Sequence, residues 1–432
     1  MSARSDNPEA WALWAVLAPV LGAVVGFGGA YSYVWVPVSI ALLSGLVALA
    51  VQRLLRNRPW RFHPLLLPMS AFGALVAVQW LFSLSAYPGA TLSAWILLAA
   101  DGCAFYLAWT AGQRASAIRA FARVLWLFCG ALSAEALLQH FSSGNFIYWF
   151  HDASYAQPMG PFVYHNHFAG CICLLLPIAV TYSWGVDRTT DWMLRLRRGM
   201  VPLLAFVAVV VSQSRGGVLA ICAEAGLWIV FSWPRLRSSR SLQVALASGC
   251  GLALLFAFLA GSLPLLQRFA ALGNGDISFQ ARVRIAQAAL RMFRSHPWIG
   301  MGFGSFASVY PGFQTFENGL QVLYAHNEFA QVLAETGLAG AICVLAFLIL
   351  FLRTGLSLRR RSTESAGAVQ LACFIGASGL IVHSLGDFQF HSPANALLFF
   401  VLAGVAVSEG KRRDKRPRSL ELKISSEISA SP

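Results

Sequence analysis

Lysine is absent from this chain until position 411, and its lysines are Lys411, Lys415 and Lys423. Acidic residues are also scarce: 18 Asp and Glu stand against 32 Lys and Arg, for a net charge of +14. There is no CxxC pair and no HExxH, which argues against thiol redox chemistry and a zinc-protease site. No tandem repeat of fixed period is visible, and no polar stretch is long enough to bury a core of its own as a soluble domain. The first apolar run is not followed by a small-residue cleavage site and a soluble mature region, so no cleavable signal peptide is expected.

What fills the chain instead is apolar sequence: 57% of residues are hydrophobic. About 20 apolar residues match the hydrocarbon thickness as a helix. Such runs recur at about 11–29, 33–52, 64–84, 92–110, 120–140, 167–186, 200–213, 216–233, 242–264, 327–352, 367–385 and 393–408. The pattern predicts an all-α polytopic membrane protein of about 12 transmembrane helices. Residues 1–410 form the membrane domain, and 411–432 a basic tail.

Charge orients it. The loops after alternate runs hold Arg53, Arg56, Arg58 and Arg61; Arg114 and Arg119; Arg188, Arg195, Arg197 and Arg198; Arg235, Arg237 and Arg240; and Arg353 with Arg359 to Arg361. By the positive-inside rule these loops and both termini are cytoplasmic. The net charge then reports topology and contact with anionic lipids, and is no argument for nucleic acid. Against this grain, Arg215, Arg268, Arg282, Arg284, Arg291 and Arg294 map to the outer side. Arginine suits a fork-like grip on phosphate or carboxylate, so these residues suggest a polyanionic substrate, or else lipid phosphate.

Eight cysteines all fall inside apolar runs and read as packing residues. Apart from His63, the histidines map to the outer side: His140, His151, His165, His167, His296, His326, His383 and His391. They read as members of a polar cavity, with one acting as base. The spacing of His165 and His167 is a weak metal signal, and no metal or other cofactor is expected.

Irregular sequence concentrates in two outer segments, 141–166 and about 265–326. Within the second, 280–294 predicts a helix at the membrane surface, ended by His296-Pro297, with Val283, Ala286, Leu290 and Phe293 on its apolar face. Gly300, Gly302 and Gly304 then predict a flexible turn near the substrate. Asp101, Glu135, Glu224 and Glu335 lie within apolar runs, where an ionisable group tends to face a cavity or a partner. Glu328, Gln331 and Glu335 share one helix face, with His326 just ahead of them. That stripe is either a structural polar seam or the wall of an outward-opening cavity.

Four segments, in order, resemble the bacterial O-antigen ligase and Wzy-type polymerase superfamily. Gly160-Pro161-Phe162-Val163-Tyr164-His165-Asn166-His167-Phe168-Ala169-Gly170 is similar to its G-x-F-x-x-x-N-x-F-A entry to a span. Ser212-Gln213-Ser214-Arg215-Gly216 resembles its S-x-S-R-G segment. Arg282 to Leu290, with Pro297, Gly300, Gly302 and Phe306, resembles its R-x-x-x-W-x-x-A-L…P-x-x-G-x-G-x-x-F block, Ala286 replacing the common tryptophan. His326-Asn327-Glu328-Phe329 with Gln331, Glu335 and Gly337 resembles its H-N-x-x-L-x…E-x-G motif. The segment Asp387 to Ala396 also looks like one found in this group.

The resemblance implies a GT-C-like glycosyltransferase core over about 160–345 in the bacterial inner membrane, its active site periplasmic. It implies transfer of a glycan from an undecaprenyl-diphosphate carrier to a hydroxyl of a glycan or lipid A-core acceptor, without metal and with inversion. Arg215 and Arg282 would stabilise the departing diphosphate, and His326 would be the base. Arg284, His165, Asn166, Asn327, Glu328, Gln331 and Glu335 are the expected substrate contacts. Ligase and polymerase need the same donor grip and base. Transport of the lipid-linked glycan is a third reading, weakened because the polar groups crowd the outer half.

Overall fold

The computed structural model describes residues 11–153, 156–186, 192–238, 240, 251, 277–316, 321–361 and 364–411. It is all-helical apart from one small hairpin, as backbone in a hydrocarbon environment requires, since a helix satisfies its own N–H and C=O groups. The helices are α1 (Ala12–Val25), α2 (Ser32–Leu55), α3 (Leu66–Leu81), α4 (Pro88–Ala111), α5 (Ala115–Ser142), α6 (His165–Thr181) and α7 (Trp192–Val211). There follow α8 (Arg215–Ser238), α9 (Ile277–Ser295), the single turn α10 (Phe306–Val309), α11 (Glu328–Arg361), α12 (Ser365–His383) and α13 (Pro393–Ala406).

Among the described residues, seven helices are long and apolar enough to cross a membrane, and α1, α3 and α13 are shorter apolar helices. The protein is therefore a polytopic membrane protein. Each predicted run coincides with a helix except 242–264, which, residue 251 aside, lies outside the described residues. The bundle is not uniform in depth. Helices α6 and α12 are buried over 78% of their membrane windows, while α8 and α11 are buried over 17% and 22%. So α6 and α12 run through the protein core, packed on each other and on α13, while α2, α8 and α11 show more apolar surface outward, as lipid-facing helices do.

The segment 141–166 contains a two-stranded hairpin, β1 (Phe146–Ile147) and β2 (His151–Asp152), that no alternating pattern announced. Helix α9 forms where expected, but its buried face is Ile285, Ala288, Ala289 and Met292. Val283 and Leu290 are 41% and 40% exposed, so the apolar face read from the sequence is offset around the helix. The small residues Ala288 and Ala289 permit close packing on α11, a cue that apolar periodicity alone undervalued.

Helix α11 is interrupted at Gly337, whose φ of 61° and ψ of −158° only glycine adopts readily. The break leaves main-chain groups without intrahelical partners, and the segment 297–302 takes them up. Leu338 and Ala339 donate to the carbonyls of Pro297 and Trp298, at 2.8 and 3.0 Å. Met301 and Gly302 donate to those of Ala334 and Glu335, at 3.0 and 2.9 Å. Gln79, fully buried on α3, adds bonds to Ile299 O, Glu335 O and the Phe303 amide. At Gly300 (φ 71°) an added Cβ would lie 2.2 Å from the Glu335 carbonyl carbon. The glycine stretch thus forms the expected turns and bends, and its backbone is bonded into a helix break.

Candidate functional site

The 384–392 loop between α12 and α13 is where the distant motifs meet. Asp387 is its hub, with a side chain only 2% exposed. Asn166 Nδ2, in the first turn of α6, donates to Asp387 Oδ2 at 2.5 Å. His326 Nδ1 lies 3.5 Å from Oδ1, and an Arg282 guanidinium nitrogen 4.0 Å from Oδ2. The Phe388 amide donates to Oδ1 at 2.9 Å. Burial works against ionisation of Asp387. Contact with the His326 ring and the charge of the Arg282 guanidinium outweigh it, holding the carboxyl well below the usual carboxylate range.

Arg282 stands on the flank of α9 that turns toward this loop. It donates to Gly386 O at 2.6 Å and to the Tyr164 hydroxyl at 3.3 Å, while Asn166 donates to the same hydroxyl at 2.8 Å. Arg284, two residues on, projects from a different flank, and its guanidinium lies 5.5 Å over the Phe316 ring. Arg291 donates to Phe313 O at 2.9 Å. The arginines of this helix therefore do not act as one cluster: Arg282 serves the loop, while Arg284 and Arg291 fasten the segment 313–316.

His326 sits in the left-handed region at φ 51°, a conformation that costs a non-glycine residue and persists where the surroundings enforce it. Its neighbours supply the enforcement. Ala325 N–H donates to Gln331 Oε1 at 2.8 Å. Asn327 Nδ2 donates to Leu385 O at 2.8 Å, and Glu328 N–H to Ser384 O at 3.1 Å. Asn327 Oδ1 also accepts from Ala330 N–H at 2.9 Å, which makes it the N-cap of α11. The His326 side chain remains 25% exposed and that of Arg282 28%, so both reach the outside of an otherwise closed cluster.

The polar stripe of α11 is buried, at 6% exposure for Glu328, 1% for Gln331 and 0% for Glu335. Its partners are mostly protein. Glu328 accepts from Phe390 N–H at 2.6 Å and lies 3.1 Å from His391 Nδ1. Gln331 bridges the Ala325 amide and the His391 ring, and Glu335 Oε1 accepts from Phe306 N–H at 2.9 Å. Burial lowers the proton affinity of His391, but the Glu328 and Glu335 carboxylates reverse this and leave it raised. The stripe braces the irregular segment that carries His326.

On the other side, His165 Nδ1 is 2.7 Å from Ser212 O, which ties α6 to the turn leading into α8. Arg215 opens α8. Just before it, Ser214 Oγ lies 3.5 Å from His383 Nε2, and His383 in turn is 3.2 Å from Gln389 Nε2. Asn395 completes the frame through His167 O and Gln389 Oε1, both at 2.9 Å. The turn bearing Arg215 is thus linked through His383 to the loop bearing Asp387. Among intramembrane acids outside the stripe, Glu224 packs against Gly379 and Asp101 is buried in α4.

Sequence reading singled out His326, Arg282 and Asn166, and the fold brings them onto one carboxylate. It missed that carboxylate, and with it Tyr164, Phe388 and Gln389. The available signal was an acid at the outer end of an apolar run, in a segment, Asp387 to Ala396, that already looked familiar. Among the described residues no group of three or more His, Cys, Asp or Glu side chains is arranged to hold a metal ion.

No curated protein matches the chain. Residues 200–345 match the Wzy_C family, described as O-antigen ligase, and that stretch includes Arg215, Arg282, His326 and the docked glycine segment while leaving out Asn166 and Asp387. The chain is a multi-pass membrane protein in which the stretch from α7 into α11 is similar to the O-antigen ligase family.

Proposed function

We propose that this protein is an inner-membrane glycosyltransferase that moves a glycan from an undecaprenyl-diphosphate carrier to an acceptor hydroxyl on the periplasmic side. The observation that carries the reading is the His326 ring held at Asp387 with Arg282 alongside. An alcohol attacks poorly until a base accepts its proton, and a histidine backed by a carboxylate is built to accept one. Asp387 takes the Nδ1 side, which leaves Nε2 for the acceptor hydroxyl.

The leaving group is a lipid diphosphate. As the acceptor oxygen bonds to the anomeric carbon, the bond from that carbon to the phosphate oxygen breaks. The electron pair leaves with the diphosphate, and the acceptor proton passes to His326. Arg282, and Arg215 at the head of α8, stabilise that growing charge. Displacement in one step inverts the anomeric centre, with arginine doing the charge neutralisation. The alternation of basic loops supports a periplasmic site, with both termini cytoplasmic, in a GT-C-like membrane core.

Ligation of finished glycan to a lipid A-core or comparable acceptor is the preferred reading, because the matching family is described as O-antigen ligase. Polymerisation of repeat units on the carrier is the second. Surface and carrier-linked glycans of a deletion strain separate them. Full-length polymer stranded on undecaprenyl diphosphate supports ligation, and single stranded repeat units support polymerisation. Unchanged glycan in both pools refutes both.

A further inference from the structure

We propose that Phe388 is a positioning residue that sets the plane of the His326 imidazole through an aromatic stack built from three separate segments. The proposal rests on His326 acting as the base, as argued above.

The Phe388 ring stacks with Tyr324, centroids 4.5 Å apart and planes at 19°, and with Tyr164, at 5.6 Å and 14°. Two histidines meet it edge to face: His326 at 4.9 Å and 79°, and His167 at 4.8 Å and 86°. Tyr164 precedes α6, Tyr324 and His326 precede α11, and Phe388 follows Asp387 in the loop after α12. One phenyl ring therefore joins three of the segments that contribute to the site.

A second ring contact is needed because the carboxylate does not define the imidazole by itself. Nδ1 and Oδ1 are 3.5 Å apart, beyond the 2.7–3.2 Å or so of a well-formed N–H···O bond. A single long contact at one ring atom also leaves the ring free to turn about it, swinging Nε2 away from the acceptor. Edge-to-face packing on Phe388 removes that freedom. The two restraints are joined covalently and by a hydrogen bond, since the Phe388 amide donates to the same Oδ1. The ring and the carboxylate oxygen thus move as one unit. Tyr164 extends the unit to the leaving-group side, because its hydroxyl accepts from Arg282 while its ring lies on Phe388.

The experiment uses the full-length protein in lipid nanodiscs, labelled with 13C and 15N in histidine, with the His326 signals assigned by their loss in His326→Gln. Phe388→Leu keeps an apolar side chain but removes the ring, and Phe388→Tyr restores it. In Phe388→Leu the ring-current shift of the His326 carbon-bound protons should disappear, and Phe388→Tyr should recover it. Transfer is read in membranes of a deletion strain, with the lipid-linked glycan accumulated there as saturating donor. An aromatic pair of ordinary strength corresponds to a fall of about 2- to 12-fold in the maximal rate of Phe388→Leu, with dependence on donor unchanged. Phe388→Tyr should return the rate to within about twofold of the parent.

Phe388→Leu protein with unaltered His326 signals, or with altered signals and an undiminished maximal rate, overturns the proposal. So does a rate loss that merely tracks the amount of folded protein and is not rescued by Phe388→Tyr. His326→Ala protein that transfers glycan at the normal rate defeats the assignment of the base instead, while the ring geometry read in the nanodisc spectra is judged separately.

Discussion

Asp387→Asn removes one charge and almost no volume, so it isolates what the carboxylate contributes. When His326 takes the acceptor proton, its contact with Asp387 becomes a hydrogen bond between ions. Bonds to charged groups contribute about 1.5–3 kcal/mol, a factor of about 10 to 150 in rate. The attraction between Arg282 and Asp387 at 4.0 Å adds to the order of the site. With Arg282 more than a quarter exposed, screening reduces it to on the order of 2 kcal/mol. Asparagine also cannot imitate both faces of the carboxylate. Asn166 and Arg282 present donors to one oxygen, and the Phe388 amide presents one to the other. Whichever way the amide turns, an NH2 group meets a donor. The expected outcome is a fall in maximal transfer rate of at least about tenfold, measured in membranes loaded with accumulated lipid-linked glycan. Added to His326→Ala, the substitution should cost little more, because the two residues act as a unit. Asp387→Asn protein that is folded and transfers within twofold of the parent would refute the dyad.

The arginines of α9 should separate cleanly. Arg282→Lys keeps the charge but loses the fork that spans Gly386 O, the Tyr164 hydroxyl and Asp387, and is expected to lose about tenfold or more in transfer. Arg284→Ala, which gives up a cation–π contact with Phe316, should lose less than about threefold, and equal losses in the same assay would contradict the geometry. Gly300→Ala forces a side chain into the Glu335 backbone at a left-handed position, and should destabilise the protein by about 1–3 kcal/mol or block folding; an unchanged melting temperature in detergent counts against the docked segment. The His391 and Glu328 pair carries a pH signature. Because the folded-state proton affinity of His391 is raised, its stabilisation is complete below the ordinary histidine pKa of about 6.5 and fades as pH rises through the elevated value. Glu328→Gln should flatten that part of the melting-temperature profile, and a profile identical to the parent's would exclude the pair as its source.

The membrane helices were legible in the sequence because the signal is physical and local. Each must present about 20 apolar residues whatever it packs against. The candidate site was legible only in part, and the division follows the same line. His326 announces itself as a histidine directly ahead of a polar stripe, and Arg282 as an arginine on the side where positive charge is rare. Asn327 illustrates the limit. It was expected at the substrate because of its company, and its amide also caps α11 and ties down Leu385. Asn and Asp are favoured at helix starts in any protein, so composition cannot distinguish the two uses.

Asp387 was obscured for a different reason. An acid at the outer end of a span is cheap to place, since water or lipid headgroups can solvate it, and so its presence there carries little information. Its burial arises only because α6, α9 and α11 converge on the 384–392 loop, and no local pattern encodes that convergence. The same holds for the glycine segment. Gly300 and Gly337 look like two unrelated flexible points, yet one conforms to the break that the other creates. The bonds given up by α11 at Gly337 are replaced, group for group, by those of residues 297–302. The break falls within two residues of Glu335, whose carboxylate anchors Phe306, and one turn further back Gln331 holds the Ala325 amide. The position of His326 therefore depends on a helix interruption well below it. A substitution that let α11 run straight through Gly337 would be felt first at the imidazole.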